Sequence, residues 1–256
     1  MSVRYEVSNR RATITIDDPE RRNPISVETM RDLLEATREA VSDLDVGVII
    51  YSGAGDKAFS AGGDLEGSFA DDPIGLHQAR GDLAELFRLM TRGGKPTIAR
   101  VNGHALAGGF GLAVACDITI CVDDAKLGAT EIRVGLWPMM ISAILVRAMT
   151  RKAALELMMT GRIIDPHEAQ RLGAVSRVVD RAELDSAVDE MVGVLLSVSP
   201  GALMIGKDSF HSAAELDFDS ALDRLQGGLT EITMTGDAAE GVSAFLEKRD
   251  PNWSGR

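Results

Sequence analysis

Asn102-Gly103-His104-Ala105-Leu106-Ala107-Gly108-Gly109-Phe110-Gly111-Leu112-Ala113-Val114-Ala115-Cys116-Asp117 is the stretch around which the chain is organised. The apolar run Thr97 to Val101 leads into it and reads as a strand. Four glycines then fall within nine residues, and small apolar residues continue at helical spacing. The pattern predicts a strand, a tight turn and a short buried helix that starts near Gly108. Glycine lets the backbone bend and lets another group approach its amides closely. The first N–H groups of a helix have no partner inside it and sit at its positive end, so such a corner suits an anion or an oxyanion. Taken alone, the stretch reads equally well as a glycine-rich joint between helix and sheet.

A second stretch of the same form breaks the tie. Lys57-Ala58-Phe59-Ser60-Ala61-Gly62-Gly63-Asp64-Leu65 follows the strand candidate Val46 to Tyr51. It too offers a strand, a glycine pair and an acidic residue suited to an N-cap or first helical turn. An oxyanion hole needs two convergent N–H donors, and two such loops supply one each. Together, the segments Ala58 to Leu65 and Asn102 to Asp117 resemble the enoyl-CoA hydratase/isomerase family, also called the crotonase family. The resemblance extends from Ile14 to Ala244-Phe245-Leu246-Glu247-Lys248-Arg249, nearly the whole chain. It implies an α/β fold: a crotonase-like (ClpP/crotonase) spiral of ββα units over residues 1–198. A C-terminal helical region, 199–256, is then expected to form a trimer or a dimer of trimers and to cover an acyl-CoA site.

Composition agrees with a globular enzyme. The 256 residues are 45% hydrophobic and 26% charged, enough for a sizeable core in one domain or one domain with an appendage. Aromatics make up only 4%, so that core must be aliphatic. With 27 basic and 39 acidic residues the formal charge is -12, which argues against nucleic acid or an anionic membrane as partner. A polyanionic ligand would need a local basic cluster. Cys116 and Cys121 form no metal or redox motif and read as small buried hydrophobes in a reducing cytoplasm. No signal peptide and no membrane span is expected.

In chain order, Val3 to Ser8 and Ala12 to Asp17 read as a hairpin, and Ser26 as the cap of a helix reaching about Leu44. Glu66 to Gly75 reads as a loop over a site, and Leu76 to Met90 as a helix. Ile118 to Val122 is a strand, and Lys126 to Gly135 irregular or short-helical. Helices are expected at Pro138 to Ala148, Arg151 to Thr160 and Pro166 to Leu172, with a strand at Ala174 to Val179. Beyond Arg181 the chain reads as helical, in segments Arg181 to Val198, Pro200 to His211, Phe218 to Thr235 and Asp237 to Lys248.

The resemblance assigns the Gly63 and Gly108 amides to an oxyanion hole for a thioester carbonyl. Glu131, in Gly128-Ala129-Thr130-Glu131-Ile132-Arg133-Val134-Gly135, matches the family's second catalytic glutamate. A carboxyl in an apolar pocket has a raised pKa and can exchange protons near neutral pH. The chain departs from the family three residues after Gly108. There the two-glutamate hydratases carry their first catalytic glutamate, and here stands Gly111. Thr130 also replaces a frequent proline. The segment Trp137-Pro138-Met139-Met140-Ile141-Ser142 is bulky where hydratases are glycine-rich, and it reads either as acyl-pocket lining or as a core helix start. By the same resemblance, Arg21, Arg22, Ala61, Gly63, Asp64 and Leu65 are expected at the CoA moiety. Phe245, Lys248 and Arg249 are expected to reach a neighbouring subunit's CoA. Coenzyme A enters only as part of the substrate, and no separate cofactor or metal is expected. The implied activity is hydration or double-bond isomerisation of an enoyl-CoA, with Glu131 as sole acid/base. A silent acyl-CoA-binding protein and another reaction of the family are the alternatives.

Overall fold

The structure, a computed structural model, describes residues 2–64 and 73–255. The expected role of Leu65 lies outside the described residues, as does most of the expected loop from Glu66.

The chain opens with the hairpin strands β1 (Val3–Ser8) and β2 (Arg11–Ile16), paired antiparallel, then the short β3 (Pro24–Ile25) and helix α1 (Val27–Ser42). Ser26 caps α1: its hydroxyl accepts from the Thr29 N–H at 3.1 Å. Next come β4 (Val48–Gly53), β5 (Ala58–Ser60), β6 (Gly62–Gly63) and α2 (Pro73–Arg92). Residues 73–75, expected in a loop, are the first turn of α2, with Pro73 at the helix start where its missing N–H costs nothing. The chain continues as β7 (Thr97–Val101), β8 (His104–Leu106) and α3 (Gly108–Ala115), then β9 (Ile118–Val122) and β10 (Leu127–Gly128). A 3-10 turn (Glu131–Val134) leads to α4 (Met139–Ala148), α5 (Arg151–Thr160) and α6 (Pro166–Leu172). After β11 (Arg177–Val179) only helices follow: α7 (Leu184–Leu196), α8 (Pro200–Ala213), α9 (Phe218–Thr233) and α10 (Gly236–Glu247).

Among the described residues, one six-stranded sheet runs β1-β2-β4-β7-β9-β11, parallel beyond the first pair. Its inner strands are buried on both faces, as the apolar runs Val48 to Tyr51 and Ile118 to Val122, the latter broken only by Thr119, require. Each inner strand is followed by a much shorter one and then by a helix: β2-β3-α1, β4-β5-β6-α2, β7-β8-α3 and β9-β10-α4. The short strands pair among themselves, β10-β8-β5 in one small sheet and β3-β6 in another. These are the ββα units that the resemblance implies. Two buried asparagines tie their turns. Asn23 donates to the carbonyls of Ala54 and Ala58, and Asn102 accepts from the Gly53 N–H and donates to the Gly55 carbonyl.

The core between sheet and helices is mainly aliphatic, with Tyr51, Phe59, Phe87 and Phe110 as its buried aromatic members. Cys116 and Cys121 are free and buried, and burial pushes the Cys121 thiol up to about 12, so both behave as inert apolar groups. Among the described residues no single helix is long and apolar enough to cross a membrane.

Lys207 of α8 fastens the C-terminal helices to the core. Its ammonium donates to the carbonyls of Met90 and Lys95 and to the Asp117 carboxylate. Asp117 also accepts from the N–H and hydroxyl of Thr97. The tail is pinned by Asp237, 1% exposed, which accepts from Ser199, Ser254 and Gly255.

Candidate active site

The two glycine loops meet at the start of α3. A Cβ on Gly109 would lie 2.5 Å from the Ser60 carbonyl oxygen, so only glycine lets this turn of α3 press against β5. Gly62, with φ +92, leaves no room for a side chain either: a Cβ there would lie 2.7 Å from that of Ala107 and 2.8 Å from the Leu106 oxygen. The close approach brings Gly63 and Gly108 together. The point where a Cβ of Gly108 would stand is 3.8 Å from the Gly63 nitrogen and 3.7 Å from the Ile25 side chain.

Both amides are available. The Asp64 N–H pairs back to the Ile25 carbonyl, so the Gly63 N–H, one residue earlier in extended chain, points to the other side. Gly108 is the first residue of α3, and its N–H has no acceptor within the helix. The preceding Ala107 is held at φ 49 and ψ −126, a strained setting for a residue with a side chain, while its N–H donates to the Gly128 carbonyl at 2.8 Å. The Ala107 carbonyl, in one peptide plane with the Gly108 N–H, accepts from the Gly111 N–H at 3.1 Å, and this bond fixes the direction of the Gly108 amide. Gly62 and Gly63 form a short strand paired to β3, and the helical turn expected after Asp64 lies outside the described residues.

The same β8–β10 pairing delivers the carboxyl. Gly128, the acceptor for Ala107, stands three residues before Glu131, which opens the 3-10 turn packed against α5. The Leu136 N–H closes this turn onto the Glu131 carbonyl. Glu131 is half-buried, and its Oε2 is fully buried with no hydrogen-bond partner. Burial raises its pKa above the ordinary glutamate value, and its own backbone N–H offsets this only in part. An unpartnered buried carboxyl is unfavourable for the fold, and it is what proton transfer requires.

The expected CoA-side residues fall in one neighbourhood. Arg21 pairs with Asp64 at 3.0 Å. The Ala61 N–H donates to the Arg22 carbonyl, so of the Ala61 backbone groups it is the carbonyl that remains to meet a ligand. Arg22 also lines a cavity of about 290 Å³ with Lys57, His104 and Arg181, against Asp56 and Asp124. This is a local basic cluster on an acidic protein, and sequence reading found only its Arg22 member. Burial, then the neighbouring cations Lys126 and Arg22, lowers the His104 pKa. Phe245 is 82% exposed and Lys248 is exposed at the end of α10, whose packing partners are α8 and α9. Of the bulky segment, Trp137 and Met140 pack against the core, while Met139 stays outside it at 70% exposure.

Another cavity, of about 810 Å³, opens at the opposite end of α3, between Asp117, α4 and α8. It is separated from the paired amides by the length of α3. Among the described residues no group of three or more His, Cys, Asp or Glu is placed to hold a metal ion.

The spiral of ββα units thus carries two glycine amides at one corner and a buried carboxyl at Glu131. Residues 6–256 match the enoyl-CoA hydratase/isomerase family, and the chain belongs to that family of lyase- and isomerase-type enzymes. It is 36% identical over 256 residues to a carnitinyl-CoA dehydratase of Escherichia coli K12, covering 95% of this chain and 94% of that protein. The crystal structure of an enoyl-CoA hydratase of Mycobacterium smegmatis superposes with a TM-score of 0.94 at 32% identity, covering 99% of both chains. That of an enoyl-CoA hydratase of Bacillus anthracis gives 0.93 at 27% identity, covering 100% of both. The fold is therefore the crotonase fold.

Proposed function

We propose that the protein moves protons on an enoyl-CoA thioester, shifting its double bond or adding and removing water across it. The Gly63 and Gly108 amides hold the thioester oxygen, and Glu131 is the sole acid/base. The observation that carries this reading is the buried, unpartnered Oε2 of Glu131, three residues beyond the Gly128 carbonyl that holds Ala107 at the corner of the two glycine loops. Removing a proton next to a thioester places negative charge on its oxygen, and donors fixed in advance stabilise that charge. The likeness to a carnitinyl-CoA dehydratase favours water as a reactant, and the missing second carboxylate at Gly111 favours isomerisation.

Arg21, Arg22, Ala61 and Asp64 hold the CoA moiety, joined by Lys57, and coenzyme A arrives only as part of the substrate. Phe245 and Lys248 reach the CoA of a neighbouring subunit in a cytoplasmic trimer or dimer of trimers.

The test is deuterium exchange from solvent into the acyl carbons of bound acyl-CoA. The wild type exchanges and Glu131→Gln does not, while both bind the thioester. Equal exchange in the two removes Glu131 from the mechanism, and no exchange in the wild type across a broad acyl-CoA panel leaves only a binding protein.

A further inference from the structure

Gly111 stands one turn beyond Gly108 on the same face of α3, so the space at its Cβ position lies one turn along the helix from the corner of the two glycine loops. The space is not vacant. A Cβ at position 111 would overlap the Ile141 Cγ2 and lie 2.5 Å from the Ile141 Cβ, but 3.6 Å from its Cα. Ile141 is the third residue of α4, 2% exposed. Hence even alanine does not fit at 111 while Ile141 is present, and glycine at 141 would open the place. Volume that could come from α3 is supplied by α4 instead, and it is hydrocarbon.

We infer that Ile141 is a specificity-determining residue of the Glu131 site: it fills the place of a side chain at position 111, keeps that wall apolar and favours double-bond isomerisation over hydration. The inference rests on the proton-transfer reading above. For isomerisation, Glu131 takes a proton from the α-carbon of a 3-enoyl thioester. The electron pair spreads onto the oxygen held by the two amides and over the double bond. The same carboxyl returns the proton to the γ-carbon, leaving the 2-enoyl thioester with no atom gained or lost. For hydration, the oxygen of a water bonds to the β-carbon and a proton goes to the α-carbon. A water in a protein interior needs two or more polar partners to stay. Isoleucine gives it none, and Glu131 alone must then hold the water, take its proton and deliver one to carbon.

The experiment compares wild type, Ile141→Ala and Gly111→Glu/Ile141→Gly on matched 3-enoyl-CoA and 2-enoyl-CoA substrates. It reads kcat/KM for isomerisation and hydration separately, together with deuterium exchange at the α-carbon. The wild type is expected to isomerise faster than it hydrates. Ile141→Ala should raise the hydration-to-isomerisation ratio by roughly tenfold or more, the size of effect one pocket contact supplies. The double variant, with a second carboxylate in the opened place, should raise it further. A packing role alone would lower both rates and leave their ratio unchanged. An unchanged ratio in both variants, or a wild type that hydrates faster than it isomerises, overturns the inference while exchange remains intact. Absence of wild-type exchange overturns the proton-transfer reading beneath it, and the role of Ile141 with it.

Discussion

Glu131 is less well solvated as an anion in the folded chain than in the unfolded one, so its proton is held more tightly after folding. The sign for stability follows. With the folded pKa raised above 4.5, the stability of the protonated group is intact below the ordinary glutamate range and is lost as pH climbs through the folded value. Glu131→Gln should therefore melt higher than wild type near pH 7 and similarly to it near pH 4, a difference that thermal scans at the two pH values read directly. Its turnover should fall by about 10²- to 10⁴-fold, the usual contribution of a positioned acid/base. In the wild type, the acid limb of kcat/KM should lie above 4.5, because the base works only when ionised. A limb at or below that value would mean that another group titrates. The amides make a separate prediction. Gly108 is the first residue of α3, where proline removes no helical hydrogen bond. Gly108→Pro should keep the helix and lose about a hundredfold or more in kcat through the missing donor. Circular dichroism and turnover measured on one preparation check both halves.

At the level of elements, α3 and α4 are locked by the Gly111–Ile141 contact, so Gly111→Ala should destabilise by roughly 1–3 kcal/mol through overpacking. Adding Ile141→Gly should return part of that loss, a coupling that a double-mutant cycle in urea measures. Sequence reading marked both ends of this contact, the glycine at 111 and the bulk at 137–142, without joining them. Nothing in a one-dimensional pattern says that side chains thirty residues apart share one volume. The long elements were legible because their periodicity is strong: Arg151–Thr160 and Pro166–Leu172 fall where spacing and caps put them. The short strands β3, β5, β6, β8 and β10 carry no period of their own, and the resemblance alone implied them. Expected helix ends moved where a turn intervened, as at Arg181, where a 3-10 turn precedes α7. The Lys207 fastening was also invisible, because its partners Met90, Lys95 and Asp117 come from distant parts of the chain. Burial raises the Asp117 pKa, but His211, Lys207 and Thr97 together hold it below 3.8. A depressed carboxyl stabilises the fold above its unfolded value and loses that effect as pH falls through the folded one. The Lys207 side chain is only 9% exposed, and removing it leaves Asp117 without its cation. Lys207→Met should therefore lower stability by a few kcal/mol at pH 7 and by less near pH 3, as denaturant midpoints at both values will show.

The whole molecule carries more apolar surface than its own fold covers, and the excess is concentrated in its last quarter. Only Gly228 of α9 is buried, although the helix bears Leu222, Leu225 and Leu229 at helical spacing, exposed by 52%, 40% and 64%. Ile232, three residues beyond Leu229, is half-buried against the chain itself. Phe218 and Phe245 add exposures of 77% and 82%. Isolated exposed apolar residues are ordinary, but a helix with nearly its whole apolar face uncovered asks for a partner. A second copy of the chain is the occupant that the proposed trimer supplies, with closed symmetry that leaves no open end. Burying a leucine is worth about 2 kcal/mol and burying a charge in its place is strongly unfavourable, so Leu229→Asp should shift the assembly toward smaller species. Leu229 does not support the monomer's core, and the folded spectrum should survive. Sedimentation equilibrium of wild type and Leu229→Asp over a range of concentrations decides the matter. A wild-type mass of three or six chains, lost in the variant, bears the assembly out. A wild type that stays monomeric at micromolar concentration would leave α9 uncovered and the neighbouring-subunit role of Phe245 and Lys248 without a structural basis.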